Sequence, residues 1–376
     1  MKRLSRHFVN LMFAVITVTV ALWVLFAGWG GHVDPRRWAV PAVAVLTYPA
    51  ALIASAALAA ALAVARCWRL LLTLVLAIVT TWPAFRVNVP LHAAIQPSGP
   101  TFSVLTFNVM GFSGETGDVN STMRYILDSG ADLVVLQEGQ LGPTDFNRLP
   151  TVLPMYDEIE REYPYHSHGY HDLIILSRWP YKVYSDTTLR QGFGSPDNGH
   201  SEYHFYAKAF DIEMPGRQLR VINVHLQSIG LDDSDKQTYR NITHLDSVGD
   251  RSQMSRMRHS LLSKLSGAFR RRAGEAHQLR SIIDGSPANV VLCGDFNDTP
   301  ASYAYWTVGG SDLHDAFAER GCGLASTFNK DKMLFHIDHI LYRGDLRATS
   351  IRRDKAGTSD HYPQIATFEW LVAPEQ

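Results

Sequence analysis

The sequence predicts an α/β domain preceded by about three transmembrane helices. Three observations carry that prediction. Long runs free of charged side chains fill residues 8–85, and the charge balance reverses near residue 100. Beyond that point, short apolar runs bounded by turn residues end in acids, amides and histidines. The 376-residue chain is 46% hydrophobic and 19% charged, an average that hides two materials. Residues 1–99 carry eight Lys/Arg against the acid Asp34, a net of +7, whereas the other 277 hold 27 basic and 35 acidic side chains, a net of −8. This composition excludes a disordered chain and a polybasic nucleic-acid coat protein, and three cysteines make no disulfide framework.

The first uncharged run, Phe8 to Trp29, is 22 residues long, enough to cross a hydrocarbon core of about 30 Å at roughly 1.5 Å per helical residue. Ala39 to Ala65 and Leu70 to Phe85 give a second and a third span, separated by Arg66-Cys67-Trp68-Arg69; the third is short and carries Pro83. Lys2, Arg3, Arg6, Arg66 and Arg69 against Arg36, Arg37 and Arg86 bias the loops toward a cytoplasmic N-terminus. An odd number of spans then places everything after residue 86 outside the cytoplasm, as a multi-pass membrane protein. A cleaved signal peptide competes for the first run, but the run is long and two more follow.

The expected organisation is a membrane region over 1–86, a Pro/Gly-containing linker over 87–100 and one α/β domain over 101–371. Within the domain, Phe102 to Phe107 reads as a strand that stops at Asn108, and Leu133 to Leu136 as a buried strand that stops at Gln137-Glu138. Leu173 to Leu176, Leu219 to Val224 before His225, and Val290 to Leu292 before Gly294-Asp295-Phe296-Asn297 repeat the habit. Ile337-Asp338-His339 and Ser359-Asp360-His361 close the series. Between them, apolar residues at helical spacing predict one amphipathic helix over most of 251–284, whose other face is basic and reads as solvated.

Polar residues at strand ends are where a rigid sheet presents side chains for chemistry. The inventory is Asn108, Glu138, His225, Asp295, Asn297, Asp338, Asp360 and His361. It holds no Cys/His zinc pattern, no Gly-x-Ser-x-Gly elbow and no Walker loop. Hard oxygen ligands point to Mg²⁺, with Mn²⁺ an alternative, and carboxylates beside imidazoles and amides suit attack of water on a phosphoryl centre.

Thr106-Phe107-Asn108-Val109, Leu136-Gln137-Glu138, Val224-His225-Leu226, Gly294-Asp295-Phe296-Asn297, Ile337-Asp338 and Ser359-Asp360-His361, in this order, resemble the endonuclease/exonuclease/phosphatase superfamily. Its members include pancreatic-type deoxyribonucleases, abasic-site endonucleases, sphingomyelinases and inositol-polyphosphate phosphatases. The likeness implies a four-layer α/β/β/α sandwich of two mixed sheets with the site at one end. It implies Glu138 as principal metal ligand, with Asn108 beside it and Asp360 near the ion. Asp295 would orient or deprotonate the attacking water, Asn297 would hold it or the transition-state phosphate, and His361 and His225 would face the phosphate. Asp338 would pair with His361 and fix its tautomer and charge.

Two departures, Asp172 before the Leu173 run and His339 after Ile-Asp, stand near the expected groove, and His168, His171, His204, His339, Lys330 and Lys332 are candidates to line it. The resulting expectation is a membrane-anchored, Mg²⁺-dependent phosphoric ester hydrolase acting outside the cytoplasm. Its substrate is a lipid head group, a small ester or a nucleic acid, and its other partner is the lipid bilayer; no protein partner is inferable. The net of −8 speaks against tight, sequence-independent DNA binding. A nuclease and a catalytically silent membrane-bound binding module are the alternatives.

Overall fold

The computed structural model describes residues 2–113, 119–139, 141, 151–167, 173–189, 205–230, 251–330 and 333–371. The N-terminal region is helical: α1 (Lys2–Trp29), α2 (Val40–Val45), α3 (Tyr48–Val64), α4 (Trp68–Thr80) and α5 (Trp82–Asn88). The expected three spans are corrected here. Among the described residues only Phe8–His32 is, by length and composition, one helix able to cross a membrane, and a signal sequence passes the same test. The second run breaks after Val45, and Pro49 starts α3 afresh, leaving a helix of 17 residues. The third bends by 77° between Trp68–Thr80 and Trp82–Asn88, with Pro83 in the first turn of α5. Counted as one span, that pair raises the total to two at most. Absence of charge identifies an apolar segment, but proline, which has no N–H to donate and clashes with the preceding turn, decides where a helix ends. With the odd count gone, parity no longer assigns a side to the rest of the chain.

The remaining chain forms two six-stranded sheets. The first has the order β11-β12-β1-β2-β4-β3, built from β1 (Thr101–Asn108), β2 (Leu133–Gln137), β3 (Tyr165–His166), β4 (Leu173–Ser177), β11 (Leu346–Arg353) and β12 (Gln364–Trp370). The second has the order β5-β6-β7-β8-β10-β9, from β5 (Tyr181–Leu189), β6 (Phe205–Met214), β7 (Arg217–His225), β8 (Val290–Asp295), β9 (His314–Asp315) and β10 (Asp338–Arg343). Both are mixed: β1–β2 and β7–β8 run parallel and their other neighbours antiparallel. Outside the first sheet lie α6 (Ser121–Asp128) and α7 (Tyr156–Glu162) and outside the second α8 (Arg251–Asp284) and α9 (Tyr303–Gly309), whereas α10 (Ala316–Arg320) packs on both β10 and β11 with Ala316 in the core between the sheets.

Alternation along each strand decides what lies between the sheets. Phe102 and Val104 of β1, Leu133 and Val135 of β2, Leu219 and Val221 of β7, Val291 and Cys293 of β8, and Ile340 and Tyr342 of β10 share one apolar core. Stepping on in twos, the same faces end in Asn108, Gln137, His225, Asp295 and Asp338. The inter-sheet layer is therefore oily along most of its length and polar at one end. The register brings those ends level, with His225 opposite Asp295 across β7–β8 and Asp338 opposite Asp295 across β10–β8. Gly294 makes this pairing possible: at φ +143°, a Cβ there would lie 2.0 Å from the Val224 carbonyl oxygen.

The outer face of the second sheet is covered twice. Leu279 and Ile283 of α8 and Tyr305 of α9 share a core with Ile222 and Leu292, and the same core takes in Ala21, Val24 and Tyr48 from the N-terminal helices. The His32 ring stacks on Trp306 at 5.5 Å, and Gly31 comes so close that a Cβ would meet the Ala301 carbonyl oxygen at 1.8 Å. The segment from residue 89 to 100 runs along the domain, with the backbone N–H groups of His92 and Ile95 donating to the carbonyls of Gly321 and Thr349, and Ser98 donating to Glu369.

Candidate active site

At the polar end of the inter-sheet layer a cleft of about 410 Å³ opens, lined among others by Glu138, His225, Asp295, Asn297, Asp360 and His361. Asp295 is its floor. The side chain is 1% exposed, and its charge meets two N–H donors, two imidazoles and one like charge, Asp338. Asn108 Nδ2 donates to Asp295 Oδ2 at 3.1 Å, the Asn297 backbone N–H donates to Oδ1 at 2.7 Å, and the Nε2 atoms of His225 and His361 lie 3.7 and 3.6 Å from Oδ2. Burial pushes the carboxyl above its ordinary range, while the two imidazoles pull the other way.

Glu138 follows β2 with a left-handed backbone, φ +54°, its carbonyl accepting from Gly111 N–H. That conformation is costly for a residue with a Cβ, and it turns the side chain, 42% exposed, into the cleft. Asn108 Nδ2 donates to Glu138 Oε1 at 2.9 Å as well as to Asp295, and Asn108 Oδ1 accepts from Met110 N–H. The amide thus clasps two carboxylates together and acts as an orienting donor. Asn297, also left-handed at φ +50°, donates through Nδ2 to the Leu226 carbonyl and ties the loop after β8 to the loop after β7.

On the opposite wall His361 Nδ1 meets Asp338 Oδ2 at 2.9 Å and Oδ1 at 3.2 Å. Burial alone would lower His361, but Asp338 and Asp295 on its two sides outweigh it and hold it up at about 10, so the ring is an imidazolium at neutral pH. Asp338 is held below its ordinary range, because the imidazolium outweighs the upward push of burial. Ser359 seats this histidine, with its Oγ donating to the Asn108 carbonyl and accepting from His361 N–H. Asp360 lines the cleft, but its carboxylate accepts from Lys330 Nζ at 2.9 Å, which makes it a weak candidate to hold an ion.

By distance, Asp295, Asp338 and His361 form a possible metal site, their ligand atoms lying within 4.8 Å of one another. The imidazolium already supplies that cluster with its positive charge. Glu138 and Asp295 present the better fit for a hard divalent ion: two carboxylates clasped by one amide at the cleft, joined to each other by no lysine or arginine among the described residues.

The structure thus brings Asn108, Glu138, His225, Asp295, Asn297, Asp338, Asp360 and His361 to one cleft. His339 is not there: it points to the other face of β10, buried, with Nε2 on the Asp298 carbonyl at 2.9 Å and its ring stacked on His336. Lys330 lines the cleft, and His168, His171, Asp172, His204 and Lys332 lie outside the described residues. Sequence reading missed the braces behind the cleft. Asn223, two residues before His225, accepts from Gln137 Nε2 at 2.6 Å and donates to the Leu136 and Ile174 carbonyls, joining the sheets. Buried Arg272 of α8 bonds the Asp298 carboxylate and the Gln227 carbonyl, and Glu275 accepts from Gln227 N–H. Only the strand parity of Asn223 could have given a signal.

The sequence profile of the Endonuclease/Exonuclease/phosphatase family matches residues 105–361, and the chain belongs to that family. A second profile, the domain of unknown function DUF8431, matches residues 10–88. Among solved structures the chain is similar to a humanized D. rerio TDP2 (17% identity, 72% of this chain and 99% of that one, TM-score 0.45). It is also similar to the human Nocturnin catalytic domain with bound sulfate (15%, 73% and 96%, 0.45) and to SmcL (16%, 72% and 99%, 0.43). No curated protein matches it.

Replacing Asp338 by Asn should lower the His361 titration by roughly one to three units, read from its imidazole resonances by NMR; an unmoved midpoint would contradict the pairing. Glu275 carries a second pH effect. Burial pushes it from its ordinary 4.5 up to about 7, against the pull of the Gln227 N–H and of Arg272. The folded state then binds the Glu275 proton more tightly than the unfolded chain, so stability falls as pH rises from 4.5 through about 7, by roughly 3 kcal/mol. Glu275→Gln should flatten that slope in denaturation curves taken between pH 5 and 8.

Proposed function

We propose that the chain is a membrane-attached, divalent-metal-dependent hydrolase of a phosphoric ester. Members of its family are hydrolases acting on phosphoester bonds and are typically dependent on divalent metals. The observation that carries the reading is that His225 Nε2 lies within 3.8 Å of both Glu138 and Asp295, with an imidazolium at His361 beside Asp295. Glu138, with Asp295 beside it and Asn108 orienting both, would hold Mg²⁺ or Mn²⁺. Such an ion supplies neutralisation of phosphate charge and acidification of water.

The chain's own residues do the rest. Asp295, its proton affinity raised by burial, orients the water and takes its proton as the new P–O bond forms. His361, kept doubly protonated by Asp338, directs Nε2–H at a non-bridging phosphoryl oxygen and stabilises the charge that builds there. His225 faces the phosphate from the β7 side, and Asn297 holds the water or the transition-state oxygen. The P–O bond to the leaving group breaks, and the departing oxygen receives the proton.

Membrane attachment rests on α1 and on the large apolar side chains left exposed along the N-terminal helices, among them Phe8, Leu11, Val15, Ile53, Leu72 and Val79. Lys2, Arg3 and Arg6 favour a cytoplasmic N-terminus, and with α1 as the one span the cleft lies on the other side of the bilayer.

The full-length chain in detergent should hydrolyse bis(p-nitrophenyl) phosphate with Mg²⁺ or Mn²⁺ and stop in EDTA, and Glu138→Gln should lower kcat/KM by roughly 10³-fold with an unchanged Tm. No turnover with any divalent ion would leave a silent binding module. A reporter fused after residue 96 that works only outside the cytoplasm should be active; an inactive fusion at normal expression would overturn the placement.

A further inference from the structure

The cleft has a second wall that hydrolysis itself does not need. Besides the acids and imidazoles it is lined by Leu46, Ile229, Leu261, Leu265, Phe328 and Phe335. Leu261 and Leu265 are one helical turn apart on α8, so their side chains stand one above the other. Leu46 comes from elsewhere: it sits at the break between α2 and α3, and α2 packs against α8. The apolar N-terminal region therefore contributes directly to the wall of the cleft that holds Glu138 and Asp295.

Leu46 and Leu265 are only partly buried, and no described side chain fills the space between them and the acids. Half-covered aliphatic surface gains most from a ligand that covers it with methylenes. Nucleobases stack on aromatic rings; of the apolar lining only Phe328 and Phe335 are aromatic, and Phe328 already packs on the His361 ring at 5.1 Å, so the remaining surface suits an alkyl chain better than a base. The chemistry of the other wall suits a charged phosphoester. The two walls meet at one cleft, beside helices whose outward faces carry the chain's exposed leucines, valines and tryptophans.

We propose that the substrate is an amphiphile, a phosphoester carrying a long alkyl or acyl chain and drawn from a lipid bilayer, with its phosphate between Glu138, Asp295 and His361 and its chain along Leu46, Leu261 and Leu265. This rests on the phosphoesterase reading and deepens it. Water adds across the P–O bond whichever alcohol leaves, its oxygen to phosphorus and its proton to that alcohol.

The test uses the full-length chain in nanodiscs with Mg²⁺ and a series of alkyl p-nitrophenyl phosphate diesters from ethyl to dodecyl, with supercoiled plasmid as a separate arm. The expected result is a kcat/KM that climbs with chain length by up to about threefold to fourfold per methylene until the wall is covered. Leu46→Ser and Leu265→Ser, each checked by circular dichroism, should shrink the dodecyl-to-ethyl ratio by about tenfold or more. Equal turnover of all the diesters, or plasmid cleavage outpacing the dodecyl ester, would overturn this proposal and leave the phosphoesterase standing. No turnover of any diester or plasmid would remove both.

Discussion

A carboxylate shut away from water must be answered by the protein, and the polar end of this molecule is organised around that demand at Asp295. Leaving such a charge unpaired in an interior costs several kcal/mol. Here the answer comes from both sheets: an amide from β1, an imidazole from β7, a backbone N–H from the turn that Asp295 itself starts, and an imidazolium from the segment before β12. Each of those groups is fixed in turn. Asn108 is also bound to Glu138, His361 to Asp338 and Ser359, and Asn297 to Leu226. The site is rigid because no member can move without stranding another's charge or hydrogen bond.

That arrangement was legible in the sequence to the extent that it follows from strand alternation. Runs such as Val290 to Cys293 are too apolar to be anything but buried, so the acid that ends one faces either a partner or an ion. The place of Asn108, His225, Asp295 and Asp338 at the ends of such runs was readable from the sequence; that alternation turns them into the space between the sheets follows from the observed strands. What escaped notice depends on contacts between segments far apart in the chain. Nothing local in Arg272 or Glu275 distinguishes them from the solvated basic face expected for that helix, yet Arg272 is buried against Asp298. Asp360 reads as a ligand until Lys330, 30 residues earlier, is seen on it. His339 was misjudged because its neighbour Asp338 faces the cleft, and adjacent strand residues face opposite ways.

The N-terminal region taught a different lesson. Counting uncharged residues identified apolar helices but not how many were unbroken, since Pro49 and Pro83 restart the chain inside runs that hydropathy treats as continuous. Nor do the helices stand apart from the domain they precede. They share its core through Val24 and Tyr48, stack His32 on Trp306, and carry Leu46 to the edge of the cleft. The N-terminal helices and the α/β domain share one core, so the orientation of one fixes that of the other.

The first strand of the α/β portion pairs with the last, Thr101 opposite Glu369. The clasp between Asn108 and Asp295 spans 187 residues, and His361 arrives later still. Contacts this distant in sequence close slowly, after the loops between them have lost their freedom. A chain still being synthesised therefore has no assembled cleft, whatever its exposed acids do individually. The cleft is complete only once the C-terminal strand has left the ribosome and zipped against the beginning, so the order of synthesis itself withholds the assembled site from the growing chain.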